Sequence, residues 1–179
     1  MNTTEILYIA TAICPEREFI LFDNQGWSYE TFNQRVIRLA NALKGLGIEK
    51  GDRVAMLNVN CPQYVETYFA AAKLGSIFVP LNFRAKSEEL THMLGDAGAK
   101  ILIAGTRYRD MIRQILPKLP SIKTCVSLDE ACDDFLFYDD LTASADSNDT
   151  GVDIDDEDVT ILMYTAGTTG RPKIGRAHV

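Results

Sequence analysis

The chain alternates short apolar runs with longer segments of helical periodicity, and this alternation limits the folds that are open to it. Strand-like runs lie at residues 53–58, 77–80, 100–103 and 124–128, and a fifth lies at 159–164. Helix-like segments separate the first four, with apolar residues three and four positions apart. Neighbouring parallel strands need crossover connections of this kind. The pattern therefore predicts an α/β fold with a largely parallel sheet flanked by helices.

Local signals set the ends of these helices. Pro62 suits the first turn of a helix over 62–74, because its missing N–H would have no partner there. Ser87 is expected to cap the next helix, and Gly95 and Gly98 are expected to end it. A further helix is predicted from about Tyr108 to Leu116, in the connection to the strand at 124–128.

A smaller amino-terminal unit precedes the alternating part. Residues 6–14 form an apolar stretch in which Ala10-Thr-Ala12 resembles a signal-peptidase site. Glu5 and the lack of any preceding Lys or Arg favour a helix instead. A strand at 19–22, a turn at 23–26 and a return from Trp27 indicate a hairpin. Ser28 is then expected to cap a helix that Gly45 and Gly47 close.

Charge is distributed unevenly along the chain. The net charge is −7, and every charged side chain between Lys123 and Arg171 is acidic. This acidic run over 129–158 is interpreted as a solvated loop, since it lacks the glycine and the ligand spacing of a calcium loop. No basic stripe with interleaved aromatic residues is present, so no nucleic-acid partner is expected.

The cysteines and the apolar stretches bear on location. Cys14, Cys61, Cys125 and Cys132 form no CxxC pair, and the chain has 2 histidines, so a zinc site is not expected. Buried reduced thiols in a cytoplasmic protein are the expectation. No stretch reaches the apolar length of an integral membrane segment.

The richest motif follows the last predicted strand and reads Tyr164-Thr-Ala-Gly-Thr-Thr-Gly-Arg-Pro-Lys173. Glycines allow backbone N–H groups to approach an anion, threonine hydroxyls can donate, and a lysine supplies positive charge. The motif is not a Walker A loop, because Pro172 stands where the second glycine belongs, nor is it a dinucleotide-binding Gly-x-Gly-x-x-Gly. Gly/Thr-rich turns without a ligand are common, so composition alone leaves an ordinary turn open.

The whole string resembles the phosphate loop of the AMP-forming acyl-CoA synthetase and adenylation-domain superfamily, Tyr-Thr-Ser-Gly-Thr-Thr-Gly-x-Pro-Lys-Gly. Ala166 stands where serine is usual and removes one hydroxyl. The resemblance continues upstream and is closest to fatty-acyl and related acyl-CoA ligases. The segments that carry it are 26–30, 39–43, 47–55, 60–64, 70–75 and 79–82.

This resemblance implies an acid–thiol ligase that uses ATP, Mg2+ and coenzyme A. A small-molecule carboxylic acid would be converted to an acyl-adenylate and then to a thioester. An adenylation domain that loads a carrier protein, or a non-catalytic nucleotide-binding fragment, are the alternatives. No residue is expected to act as general base or covalent nucleophile. The resemblance assigns the ATP phosphates to Thr165, Ala166, Gly167, Thr168, Thr169, Gly170 and Lys173.

The resemblance ends at Lys173. Residues 1–173 are expected to be the amino-terminal portion of an AMP-binding domain. Residues 174–179, Ile-Gly-Arg-Ala-His-Val, match the translation of a common short-read library adapter and are expected to be a non-native tail. The family's Tyr-Gly-x-Thr-Glu adenine-binding segment has no counterpart in the 179 residues, so this polypeptide alone is expected to be inactive.

Overall fold

The computed structural model describes residues 2–165 and 173–178. Helix α1 spans Thr3–Ile13 and is followed by a hairpin of β1 (Glu18–Phe22) and β2 (Gln25–Ser28). Asn2 caps α1, and Glu5 completes a capping box with it. The predicted amino-terminal helix and hairpin are therefore confirmed.

Alternating strands and helices make up the next part of the chain. They are α2 (Tyr29–Gly45), β3 (Arg53–Leu57), α3 (Pro62–Lys73), β4 (Ile77–Pro80), α4 (Ser87–Ala97), β5 (Ile101–Ala104), α5 (Arg109–Ile115) and β6 (Thr124–Ser127). Single 3-10 turns flank α5 at Thr106–Tyr108 and Leu116–Lys118. Each predicted strand and helix of this part is present, with ends shifted by a few residues.

The last part of the described chain contains β7 (Leu136–Phe137), α6 (Tyr138–Ala143), β8 (Val159–Thr165) and β9 (Lys173–His178). The large sheet has the strand order β7-β6-β5-β3-β4-β8-β9. Its first six strands run parallel, and β9 is antiparallel to β8. The predicted α/β fold with a largely parallel sheet flanked by helices is confirmed.

The sheet separates two hydrophobic layers. One contains apolar residues of α4 and α5, such as Leu94 and Ile112, packed on Leu57 and Leu102. The other contains residues of α1, α2, α3 and α6, packed on Val54 and its neighbours. Residues of β3 enter both layers because successive side chains of a strand point to opposite faces. This two-sided cover fits the almost uninterrupted apolar runs of the central strands.

Three sequence-based expectations about local structure are wrong. Gly95 lies inside α4, and Gly98 alone, with a φ of 58°, caps its end. Ser87 is the first residue of α4 and not its cap; the preceding Lys86 holds that position, and its N–H donates to Glu89 Oε2 at 2.8 Å. The acidic run is not a solvated loop throughout. It contains β7 and α6, and it buries Phe135 and Tyr138 in the two layers, because these large aromatic side chains gain from burial while the neighbouring carboxylates stay exposed.

Candidate functional site

The phosphate-loop motif lies between two paired strands. Thr165 is the last residue of β8, Lys173 is the first residue of β9, and their Cα atoms are direct partners in the antiparallel register. The structure thus brings Thr165 and Lys173 together at the base of the connection. The other predicted site residues lie outside the described residues: Ala166, Gly167, Thr168, Thr169 and Gly170.

The connection leaves the sheet at its carboxyl edge. β8 is parallel to β4, so Thr165 lies on the side where β3, β4 and β5 also end. Ligands of open α/β sheets bind outside the carboxyl ends of the strands. The position of the motif therefore agrees with the chemistry that its residues suggest.

The end of β8 extends past its parallel neighbour. The register between β4 and β8 contains the single pair Phe78↔Ile161, whereas β8 and β9 are paired from Val159 to Thr165. β4 ends at Pro80, which has no N–H to donate to a ladder. In that register Pro80 stands opposite Met163, so Tyr164 and Thr165 extend past β4 in a two-stranded ribbon with β9.

Tyr164 connects this ribbon to α4. Its hydroxyl lies 3.0 Å from the carbonyl oxygen of Met93 and 2.9 Å from Oδ2 of Asp96. The ring packs against the hydrophobic layer on the α4 face. Burial and the neighbouring Asp96 carboxylate raise the pKa of Tyr164 well above its ordinary value, so the hydroxyl stays protonated and acts as a donor. Sequence reasoning counted Tyr164 in the motif but missed this contact, because Asp96 is distant in sequence.

Cationic and aromatic side chains follow two other strands at the same edge. The guanidinium carbon of Arg84, after β4, lies 5.1 Å from the centre of the Phe83 ring. That of Arg107, after β5, lies 4.7 Å from the ring of Tyr108. The Tyr108 hydroxyl donates to the Phe83 carbonyl at 3.1 Å, so the two loops are joined. The edge that carries the motif is thus also supplied with exposed guanidinium groups.

The thiols were only partly predicted. All four cysteines are free, but Cys125 alone among them is buried, and Cys14, Cys61 and Cys132 are half-buried. Burial raises the pKa of the Cys125 thiol to about 12. Within residues 2–165 and 173–178, no cluster of three or more His, Cys, Asp or Glu is arranged to hold a metal ion. In the same ranges, every helix is too short or too polar to cross a bilayer.

A largely parallel sheet flanked by helices, with the motif at its carboxyl edge, places the chain among the open-sheet α/β proteins. Residues 10–174 match the family of AMP-binding enzymes. The chain belongs to this family of AMP-binding enzymes.

Known proteins similar to the chain include ligases with different acceptors. A feruloyl-CoA synthase from Amycolatopsis sp is 40% identical over 146 residues, which are 82% of this chain and 27% of the synthase. A fatty acid–[acyl-carrier-protein] ligase, ScoC, from Streptomyces coeruleorubidus is 31% identical over 159 residues, which are 89% of this chain and 29% of that ligase.

A solved structure shows the same arrangement. The crystal structure of the anthranilate CoA ligase AuaEII in complex with anthranoyl-AMP matches with a TM-score of 0.95 and 26% identity. The match covers 99% of this chain and 35% of that chain. The chain therefore spans about a third or less of the length of these relatives.

Proposed function

We propose that the chain contributes the ATP-phosphate loop of an enzyme that activates a carboxylic acid as an acyl-adenylate. The observation that carries this proposal is the placement of Thr165 and Lys173 opposite each other, at the carboxyl edge of a parallel sheet. A polyphosphate bound there would meet hydroxyl donors, backbone N–H groups and a lysine. Membership of the AMP-binding family and the anthranoyl-AMP bound to a similar structure support the same conclusion.

Each predicted loop residue has a role in this proposal. Thr165, Thr168 and Thr169 offer hydroxyl donors to the β- and γ-phosphates. Gly167 and Gly170 let backbone N–H groups approach the oxygens, and Ala166 contributes through its backbone alone. Lys173 adds a positive charge, which offsets the negative charge that develops on the departing pyrophosphate.

The reaction needs no protein nucleophile. A carboxylate oxygen attacks the α-phosphorus, the bond to the bridging oxygen breaks, and pyrophosphate leaves; Mg2+ bound to the triphosphate would offset part of the negative charge. The thiol of the acceptor then attacks the acyl carbon, loses its proton to solvent, and displaces AMP. The loop therefore acts by electrostatic stabilisation and by orientation of the triphosphate.

Coenzyme A is the acceptor we favour. The cytoplasm is the location we propose, because all four cysteines are free thiols. The feruloyl-CoA synthase and the anthranilate CoA ligase use that acceptor by name, and the exposed Arg84 and Arg107 offer charge to its phosphates. Loading of a carrier protein is the second candidate, favoured by the similarity to ScoC. Thioester formation on free coenzyme A, compared with a phosphopantetheinylated carrier protein, separates the two.

The substitution Lys173→Ala tests the proposed role of the loop. We expect the rate of acid-dependent ATP–pyrophosphate exchange to fall by about a hundredfold, in the range seen when one donor to a developing charge is lost. The measurement uses the protein expressed from the complete reading frame that contains this sequence, with a panel of carboxylic acids.

Three variants control this test. Lys173→Arg keeps the charge and should retain part of the activity. Ala166→Ser restores the usual family residue and should leave the rate unchanged or slightly raised. Lys118→Ala removes a lysine next to α5 and should have no effect. Exchange kinetics of Lys173→Ala equal to those of the unsubstituted protein would contradict the assignment.

A further inference from the structure

The end of the ribbon that carries the phosphate-loop motif extends past the parallel sheet. In the register of the pair Phe78↔Ile161, β4 ends opposite Met163, so Tyr164 and Thr165 lie beyond its last residue. A two-stranded ribbon without further strands is marginally stable by itself. Side-chain contacts near the tip therefore help to set its position relative to the sheet.

Tyr164 supplies such a contact one residue before the connection. Leu162 and Tyr164 point to the α4 face, where Leu162 is buried and Tyr164 packs on the same apolar layer. The apolar contacts hold the ribbon against α4 but permit sliding, because they are not directional. A hydrogen bond from the Tyr164 hydroxyl is directional, and it fixes the ribbon along the axis of α4.

Two acceptors face that hydroxyl. The Met93 carbonyl is part of α4, and the Asp96 carboxylate stands one turn further along the same helix, on an exposed residue. A hydroxyl has one proton, so the two oxygens share it. The bond to a carboxylate is the stronger type, since the acceptor is charged.

We propose that the Tyr164 hydroxyl, through Met93 and Asp96, is a positioning group that sets the place of the phosphate loop for ATP. The inference rests on the proposed function and adds α4 to the site. Tyr164 does not touch the reacting atoms; it acts through the position of Thr165 and the residues that follow.

The test separates ATP from the carboxylic acid. In the protein from the complete reading frame, Tyr164→Phe keeps the ring and its packing but removes the hydroxyl. We expect the KM for ATP in the exchange assay to rise by about tenfold, as expected for loss of a hydrogen bond to a charged group. The KM for the carboxylic acid should change by less than about twofold, since the proposed function assigns only the triphosphate to the loop.

Substitutions of Asp96 should raise the KM for ATP by smaller amounts. Asp96→Ala leaves the Met93 carbonyl as acceptor, so the KM for ATP should rise less than in Tyr164→Phe. Asp96→Asn retains a carbonyl oxygen and should restore most of the affinity. Since Asp96 is exposed, these two variants keep the test valid even if Tyr164→Phe folds poorly.

Tyr68→Phe is the matched control. Its hydroxyl lies 3.4 Å from Thr3 Oγ1 and joins α1 to α3, away from the ribbon. A contact with only a structural role would lower the melting temperature without a selective change in the KM for ATP, and Tyr68→Phe should show that behaviour.

The possible results are distinct. A selective rise in the KM for ATP in the order Tyr164→Phe, Asp96→Ala, Asp96→Asn supports the inference. An active unsubstituted enzyme whose Tyr164→Phe variant keeps the same KM for ATP overturns the inference alone. An unsubstituted protein that gives no exchange with any acid overturns the proposed function and this inference with it.

Discussion

A buried carboxylate joins three helices on the α2 face of the sheet. Glu66 of α3 is 1% exposed; its Oε1 accepts from Nε of Arg35 at 2.5 Å, and its Oε2 accepts from the Tyr138 hydroxyl at 2.6 Å. Burial, followed by the neighbouring Glu66, raises the pKa of Tyr138 well above its ordinary value, so Tyr138 remains a donor. The network connects α2, α3 and α6. Its buried polar groups would lower the stability of the fold if they were left without hydrogen-bond partners.

Removal of one partner of this network should destabilise the fold. We expect Arg35→Met to lower the free energy of unfolding by about 2 kcal/mol, below the usual cost of breaking a buried ion pair because Arg35 is about a third exposed. Urea unfolding followed by circular dichroism measures the change. The double variant Arg35→Met with Glu66→Gln should recover part of the loss, since it leaves no buried charge.

Arg113→Met provides the comparison for Arg35. Arg113 also makes two short bonds to a carboxylate, Asp134, at 2.7 Å each, but both residues are exposed. Its loss should therefore cost much less. If the two arginine variants unfold at the same urea concentration, burial of Glu66 does not increase the loss of stability that follows removal of its partner.

Single residues differ in how well the sequence predicts them. Ser28 caps α2 as predicted, with its Oγ accepting from the Thr31 N–H at 3.2 Å, because a capping contact depends on residues three apart. The same reasoning failed at Ser87, where Lys86 already has the extended backbone of a cap and Glu89 accepts its N–H. The contacts of Tyr164 and Glu66 join residues more than thirty positions apart, and a single sequence contains no signal for their meeting.

At the scale of elements, α2 binds the acidic segment that leads to β8. Three polar residues one helical turn apart donate to main-chain carbonyls of residues 143–150. Arg38 reaches Ala145 at 3.2 Å, Asn41 reaches Asp146 and Asn148 at 2.9 and 2.7 Å, and Lys44 reaches Thr150 at 2.8 Å. This row of donors, the α2 clamp, positions the segment through its backbone carbonyls.

Other contacts continue the attachment towards the motif. Nζ of Lys73 lies 3.0 Å from Asp149 Oδ2, and Nζ of Lys50 lies 2.6 Å from Asp158 Oδ2, directly before β8. The basic side chains of α2, of the turn that follows α2, and of α3 thus offset the charge of the acidic run. The sequence did contain one signal that part of the acidic run is packed against the core. This signal was the aromatic run around Phe135 and Tyr138, which a solvated loop would not contain.

Loss of a central donor of the α2 clamp should loosen the acidic segment. In Asn41→Leu the carbonyls of Asp146 and Asn148 lose their donor, so we expect cleavage within residues 143–158 to become about tenfold faster through local opening. Limited proteolysis with a glutamyl endopeptidase in phosphate buffer, which cleaves after Asp and Glu, measures the rate.

The matched control for Asn41 is Gln34→Leu, at an exposed position of the same helix. It introduces the same side chain without affecting the clamp and should be cleaved at the original rate. Equal cleavage rates in the two variants would show that the clamp does not restrain the segment.

At the scale of the molecule, the alternating pattern was sufficient for the fold and the motif was sufficient for the family. Parallel strand order follows from buried apolar runs with helical crossovers, which a sequence displays directly. The reversal after the motif, by which β9 returns antiparallel to β8, has no such signal in its six residues. A ladder is formed by backbone groups, so the pairing of 173–178 with β8 does not by itself identify those residues as native. The prediction of a non-native tail over 174–179 stays a prediction.

The whole 179-residue polypeptide should fold without catalysing adenylation. Both faces of the described sheet are covered, which supplies a core on each side. In the proposed function, however, the loop binds only the triphosphate end of ATP, and the Tyr-Gly-x-Thr-Glu segment that the family resemblance assigns to adenine is absent from the given sequence. We therefore expect cooperative unfolding, weak binding of MgATP by calorimetry, and no acid-dependent ATP–pyrophosphate exchange.

The same exchange assay on the protein from the complete reading frame provides the positive control. The isolated polypeptide with Lys173→Ala provides the background, because it removes the lysine charge that the proposal assigns to the phosphates without altering the core. Acid-dependent exchange by the 179 residues above that background would refute the prediction, since these residues would then bind adenine and acid by themselves. Binding of MgATP that is lost in Lys173→Ala, without exchange, would show that the polypeptide is a nucleotide-binding module whose catalysis depends on further chain.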